Sequence, residues 1–109
     1  MDSRDKGKRG EREAAAKLNE VLKHAGAYRS QQFSGADGDA DLSGVPGIHV
    51  EVKRRERGNV AGWVDQAVED AADDVVPIVM HRASHRPWLI TVRLEDLPDL
   101  ASAVVALVD

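Results

Sequence analysis

Apolar and polar positions alternate along this chain with two different periods. From about Gly10 to Ala25, Ala14, Ala15, Leu18, Val21 and Leu22 recur every three or four residues, the stripe of an amphipathic helix, and Gly26 supplies a stop. Tyr28 to Phe33 reads as a first strand. A small-residue loop, SGADGDA, leads to a short second strand at Ala40 to Ser43, and a Val45-Pro46-Gly47 turn leads to a third, Ile48 to Arg54. After Gly58 the helical period returns: Val60, Trp63, Val64, Ala67, Val68 and Ala71 share one face up to Asp73-Asp74. Val75 to His81 and Trp88 to Arg93 read as two further strands joined by the polar stretch RASHRP. Leu94 to Val108 reads as a last helix with Pro98 in its first turn. The order α-β-β-β-α-β-β-α predicts an α/β domain, a mixed five-stranded sheet flanked by helices.

The third strand poses a chemical question. Ile48, Val50 and Val52 point one way and His49, Glu51 and Lys53 the other, so its second face is polar. If Val45-Pro46-Gly47 is a three-residue loop, Gly44 pairs with Ile48, Leu42 with Val50, and Asp41 with Glu51. That register keeps apolar opposite apolar but sets two carboxylates against each other, which destabilises a sheet unless a pKa rises or a cation binds. Two carboxylates and a strand carbonyl, that of Val52, make a hard oxygen site suited to Mg²⁺ or Mn²⁺. Lys53, on the face of Glu51, is placed to orient a metal-bound water, the outline of phosphodiester hydrolysis. The plain alternative is a solvent-facing Glu-x-Lys pair on an edge strand.

Composition narrows the chemistry. The 109 residues, 42% apolar, suit one domain, expected to span 10–109 after a flexible basic arm at 1–9. The charged opening MDSRDKGKRGERE is unlike a secretory leader, and no apolar run approaches the ~20 residues of a membrane span, so a cytoplasmic protein is expected. Without cysteine, any metal must be held by oxygen or imidazole. The net charge of -4 is unevenly spread: residues 1 to 57 carry 12 Lys and Arg against 10 Asp and Glu, the rest 3 against 9. Lys6, Lys8, Arg9 and Arg12, then Lys53, Arg54, Arg55 and Arg57, form two basic clusters beside the polar strand. They read either as solvated surface or as contacts to nucleic-acid phosphates.

These residues together resemble the PD-(D/E)xK nuclease superfamily, in particular the archaeal-type Holliday-junction resolvases and small phage endonucleases. KGKRGERE, Lys6 to Glu13, is similar to the family's basic helix start, with its acid on Glu11. DADL puts the hairpin aspartate on Asp41, with Asp37 and Asp39 as rivals in the same loop, and HVEVK puts Glu-x-Lys on Glu51 and Lys53. The later stretch with Gln66, Ala67, Asp70 and Ala71, and the strands VPIVMHR and PWLITV, extend the likeness from Lys6 to Leu97. The resemblance implies a restriction-endonuclease-like fold and a Mg²⁺-dependent endonuclease, phage-encoded and active in the host cytoplasm, that cleaves branched DNA such as four-way junctions. It implies Asp41 and Glu51 as metal ligands, Lys53 as the residue poising the attacking water, and Glu11 as a further acid near the metal. Glu11 also reads as a favourable charge in a first helical turn.

A homodimer is expected, because a junction is cut on two symmetry-related strands and one chain holds one Asp41-Glu51-Lys53 set. Rival readings are a nicking or flap nuclease of the same fold, and a DNA-binding protein without catalysis. Gln66 reads equally as a site residue and as surface. His49 reads as exposed surface near the site, and Trp63 and Trp88 as core or interface.

Overall fold

A computed structural model describes residues 3–31 and 40–108, with the backbone alone for 3–6. Helix α1 (Ser3–Val21) precedes three strands, β1 (Tyr28–Arg29), β2 (Leu42–Ser43) and β3 (Ile48–Arg54). Helix α2 (Val60–Asp70), strands β4 (Val76–Arg82) and β5 (Leu89–Thr91), a 3₁₀ turn (Leu94–Asp96) and helix α3 (Leu97–Val108) complete the chain. The sheet is open and mixed, in the order β1-β2-β3-β4-β5; β3 and β4 run parallel and the other pairs antiparallel. This is the expected α/β class and element order. Among the described residues no helix is long and apolar enough to cross a membrane.

The sheet is covered on both faces. Ile48, Val50, Val52, Val76, Ile78 and Met80 pack against Ala14 and Leu18 of α1, Leu22 just after it, and Leu100 and Leu107 of α3 in one continuous core. On the other face α2 lies over β3 and β4, burying Ala67 and Val79 completely. Strand β3 is therefore central, and its first five residues are all buried. Parallel strands covered by helices on both faces are buried on both sides. That corrects the expectation for His49, which is 6% exposed rather than on the surface.

Turn chemistry sets the hairpin register. Pro46 and Gly47 (φ +79°) occupy the centre of a tight turn closed by the Ile48 N–H donating to the Val45 carbonyl at 3.2 Å. A φ in that region requires glycine at the third turn position. The result is Leu42 opposite Val50, as the alternation requires. Gly44 has φ +85°, and a side chain there would meet the Gly26 carbonyl oxygen at 2.1 Å, so glycine is needed twice over.

Helix α1 departs from expectation at both ends. It begins at Ser3 instead of near Gly10, so residues 3–9 form its first turns and not a separate arm. Straight-chain Lys, Arg and Glu are good helix formers and carry the helix across Gly7 and Gly10. It ends at Val21 because the chain is held elsewhere: the Asn19 side chain bonds both the N–H and the carbonyl of Ala27, at 2.8 and 2.9 Å, and the His24 N–H donates to Leu107 of α3 at 2.8 Å. Asn59 caps α2 by accepting from the Gly62 N–H at 3.0 Å.

Candidate active site

The β2–β3 hairpin brings Asp41 to the middle of β3, but not as a regular cross-strand pair. Asp41 lies in a bend just before β2, where its N–H donates to the Val50 carbonyl at 2.9 Å and its Oδ2 accepts from the Val52 N–H at 2.8 Å. The carboxylate thus serves β3 as a substitute ladder acceptor. Within a strand, the N–H and C=O of one residue point to the same side, so the Val52 carbonyl also faces Asp41.

Glu51 is 4% exposed, and its Oε1 lies 2.8 Å from His49 Nε2. Burial pushes its carboxyl above the ordinary range; the His49 bond acts against this, while the charge of Asp41 and a carboxyl–carboxyl hydrogen bond to Asp41 add to it. Glu11 on α1 is also pushed up, first by burial and then by the charge of Asp41, with Arg29 opposing through an ion pair at 2.8 Å. Asp41 therefore acts electrostatically on both of the other acids. Neither His49 as a bonded partner of Glu51 nor Arg29 as the partner of Glu11 was legible in the sequence. The alternation put His49 on the face of Glu51, but its burial depends on α2.

Glu11, Asp41, Val52 and Lys53 line one cleft of about 180 Å³, with Gly7 and Gly10 of α1 as its opposite wall. Gly10 is buried, and a Cβ there would stand 3.3 Å from that of Arg54, so α1 crosses close over the end of β3. Arg54 is drawn inward to Glu13 at 3.7 Å, and Glu13 also pairs with Arg82. Of the other basic residues, Arg9, Arg12, Arg55 and Arg57 are exposed and Lys8 is half-buried. Gln66 is exposed on α2, beside the buried Ala67. Asp37, Asp39 and the Lys6 side chain lie outside the described residues. Among the described residues no three His, Cys, Asp or Glu side chains converge closely enough to hold a metal ion by themselves.

A larger depression, about 530 Å³, is at the other end of the sheet and is lined by Asp73, Asp74, Asp96 and Asp99, with Arg93 as its one cation. Four carboxylates there repel phosphate, so the smaller cleft is the better site for an anionic substrate. Comparison of the chain with family models, with curated proteins and with solved structures gives no match.

The carboxyl shift has a thermal consequence. With the folded-state value of Glu51 raised, its contribution to stability is present below the unfolded-state value and is lost as pH rises through the folded-state value. Glu51→Gln should therefore melt at higher temperature than the parent at pH 8, and the gap should shrink towards pH 4. Calorimetric melting of both proteins across that range checks it. A gap that widened on acidification would mean that Glu51 is stabilised as an anion by His49.

Proposed function

We propose that this chain is a metal-dependent DNA endonuclease of the restriction-endonuclease-like type, acting on branched DNA such as four-way junctions in the cytoplasm. The observation that carries the reading is the hairpin register. It sets Asp41 beside the buried Glu51, whose carboxyl hydrogen-bonds it, while Asp41 and Lys53 line one cleft with Glu11 under the start of α1. Two carboxylates and a strand carbonyl suit Mg²⁺, which keeps several waters and takes only one or two protein carboxylates together with substrate phosphates; a full protein cage is not needed. A raised Glu51 carboxyl hydrogen-bonded to the side chain of Asp41 fits such a cation. When bound, Mg²⁺ would lower the pKa of a water and neutralise phosphate charge. Asp41, Glu51 and the Val52 carbonyl would hold it. Lys53 directs a water towards the phosphorus, and Arg9, Arg12, Arg55 and Arg57 hold flanking phosphates, selecting shape rather than sequence.

Mg²⁺ and Mn²⁺ are expected to support cleavage of a synthetic four-way junction and Ca²⁺ to support binding alone, because its longer, looser coordination activates water poorly. Undiminished cutting in excess chelator would overturn the reading. A homodimer is part of the proposal, because two symmetric cuts need two sites. Leu89 and Ile90 on edge strand β5 and the adjoining Leu94 and Leu97 are exposed and supply apolar surface for it. Light scattering should give twice the chain mass at micromolar concentration; a monomer, free and on a junction, favours a single-strand nicking enzyme. The bonds from His49 to Glu51 and Arg29 to Glu11 favour a second reading, a DNA-binding protein without catalysis. Calorimetry separates the two: that protein would take up no Mg²⁺.

A further inference from the structure

A second cleft, of about 440 Å³, opens next to the first, between the loop after β3, the start of α2 and the β4–β5 turn. Its two loops are tied together, since the Arg55 N–H donates to the Arg82 carbonyl at 3.1 Å and Glu56 accepts from the Ser84 N–H at 3.0 Å. Arg82 turns its guanidinium away, to Glu13 and over the Trp88 ring at 5.9 Å. Arg55, Arg57 and Arg86 are exposed at the cleft, which gathers like charges around a single acid, Glu56.

Trp63 forms its aromatic wall. The ring lies so close to Gly58 that a Cβ there would stand 2.0 Å from Cζ2, and it meets the His81 ring at 5.7 Å and 58°. It is half-buried, lining the cleft rather than filling the core. The turn opposite holds His85 at φ +61°, a left-handed conformation that is costly for a residue other than glycine, immediately before Arg86.

An aromatic ring with guanidinium groups around it recognises a base by stacking and the flanking phosphates by charge. A volume of this order admits a small ligand and not a double helix. Bases inside a duplex are paired and stacked on both faces, so away from a duplex end it is an unpaired nucleotide that can present its face to Trp63. We infer that the Arg55, Arg57, Trp63 and Arg86 cleft binds an unpaired nucleotide of a DNA strand, next to the Asp41–Glu51 site. This rests on the reading of the chain as a DNA enzyme and adds how branched DNA would be told from plain duplex: a branch can offer an unpaired nucleotide.

The test measures binding in chelator, independently of cleavage. Probes are an oligothymidine of about ten nucleotides, a blunt duplex, and thymidine monophosphate. Trp63→Ala should weaken oligothymidine binding by about 5- to 150-fold and leave duplex binding nearly unchanged. Arg86→Ala, at an exposed position given no other phosphate to hold, should also weaken it, and covers the case in which Trp63→Ala does not fold. In a Trp88→Phe protein, where Trp63 is the sole tryptophan, oligothymidine should quench fluorescence saturably. Equal losses for oligothymidine and duplex, or no quenching, would overturn the inference. So would monophosphate binding as tightly as the oligonucleotide, which marks a free-nucleotide site. A wild-type protein that binds oligothymidine through Trp63 but never cuts DNA would sink the nuclease reading and leave this one standing.

Discussion

Single replacement of Asp41, Glu51 or Lys53 is expected to abolish junction cleavage while the protein stays folded. Loss of an outer partner of a metal ligand commonly costs about 10- to 100-fold, so loss of a ligand itself should cost more. Removing the group that handles the proton of the attacking water should cost about 10²- to 10⁴-fold. Asp41 needs care in the choice of variant. Its Oδ2 is the acceptor for the Val52 N–H, and alanine would leave that donor without it, at a cost of about 1–3 kcal/mol if no water replaces it. Asp41→Asn keeps an acceptor oxygen and removes the charge, so it separates the metal role from the strand role. Glu51→Gln and Lys53→Met do the same for their positions, and Glu11→Gln should cost least. Single-turnover cleavage with melting curves for each variant decides the matter. Full activity in Asp41→Asn together with loss in Asp39→Asn would move the hairpin aspartate to the earlier position.

The second large effect is on stability. Leu42, 2% exposed, sits opposite Val50 and packs into the core that α1 and α3 close. Leu42→Ala should cost about 2–5 kcal/mol, a large part of the roughly 5–15 kcal/mol that holds a domain folded. At about 4–8 °C per kcal/mol for a domain near this size, the melting temperature should fall by ten degrees or more. Val21→Ala is the control, because Val21 is 59% exposed and its loss should change stability by less than about 0.5 kcal/mol. Equal melting of the two variants would mean that β2 does not pack as described. Because β2 is only two residues long, Leu42 supports the bonds from Asp41 to Val50 and Val52, so the variant should lose activity before it unfolds fully.

Much of the architecture was legible because periodicity follows from local geometry. The seven residues of β3 carry strict alternation, and the Val-Pro-Gly turn fixes where they start, so the strand is found at the expected bounds. The stripe from Val60 to Val68 marks α2 as well, although the helix stops at Asp70, short of the expected Asp73-Asp74. The register Leu42 opposite Val50 follows from the same two facts, loop length and the need to keep one face dry, and it puts Asp41 near Glu51.

What lay beyond the sequence depends on partners far along the chain. Nothing local to α1 says that it ends at Val21; Asn19 bonding Ala27 and His24 bonding Leu107 decide that. Alternation predicted a polar face for β3 and could not say whether water or a helix covers it. The parallel pairing with β4 and the packing of α2 bury that face, turning His49 and Glu51 from a surface pair into a buried one and raising the carboxyl. Likewise Trp63 fell in phase with core positions, because a helical period reports which face turns inward and not how deep it goes. Its place at a cleft wall is set by Gly58 and His81, which reach it from another loop and another strand. Element order, hairpin register and the candidate acids are readable from the chain alone, since each rests on spacing within one segment. Burial, ion pairing and the two adjoining clefts are not, since each is made where separate segments meet.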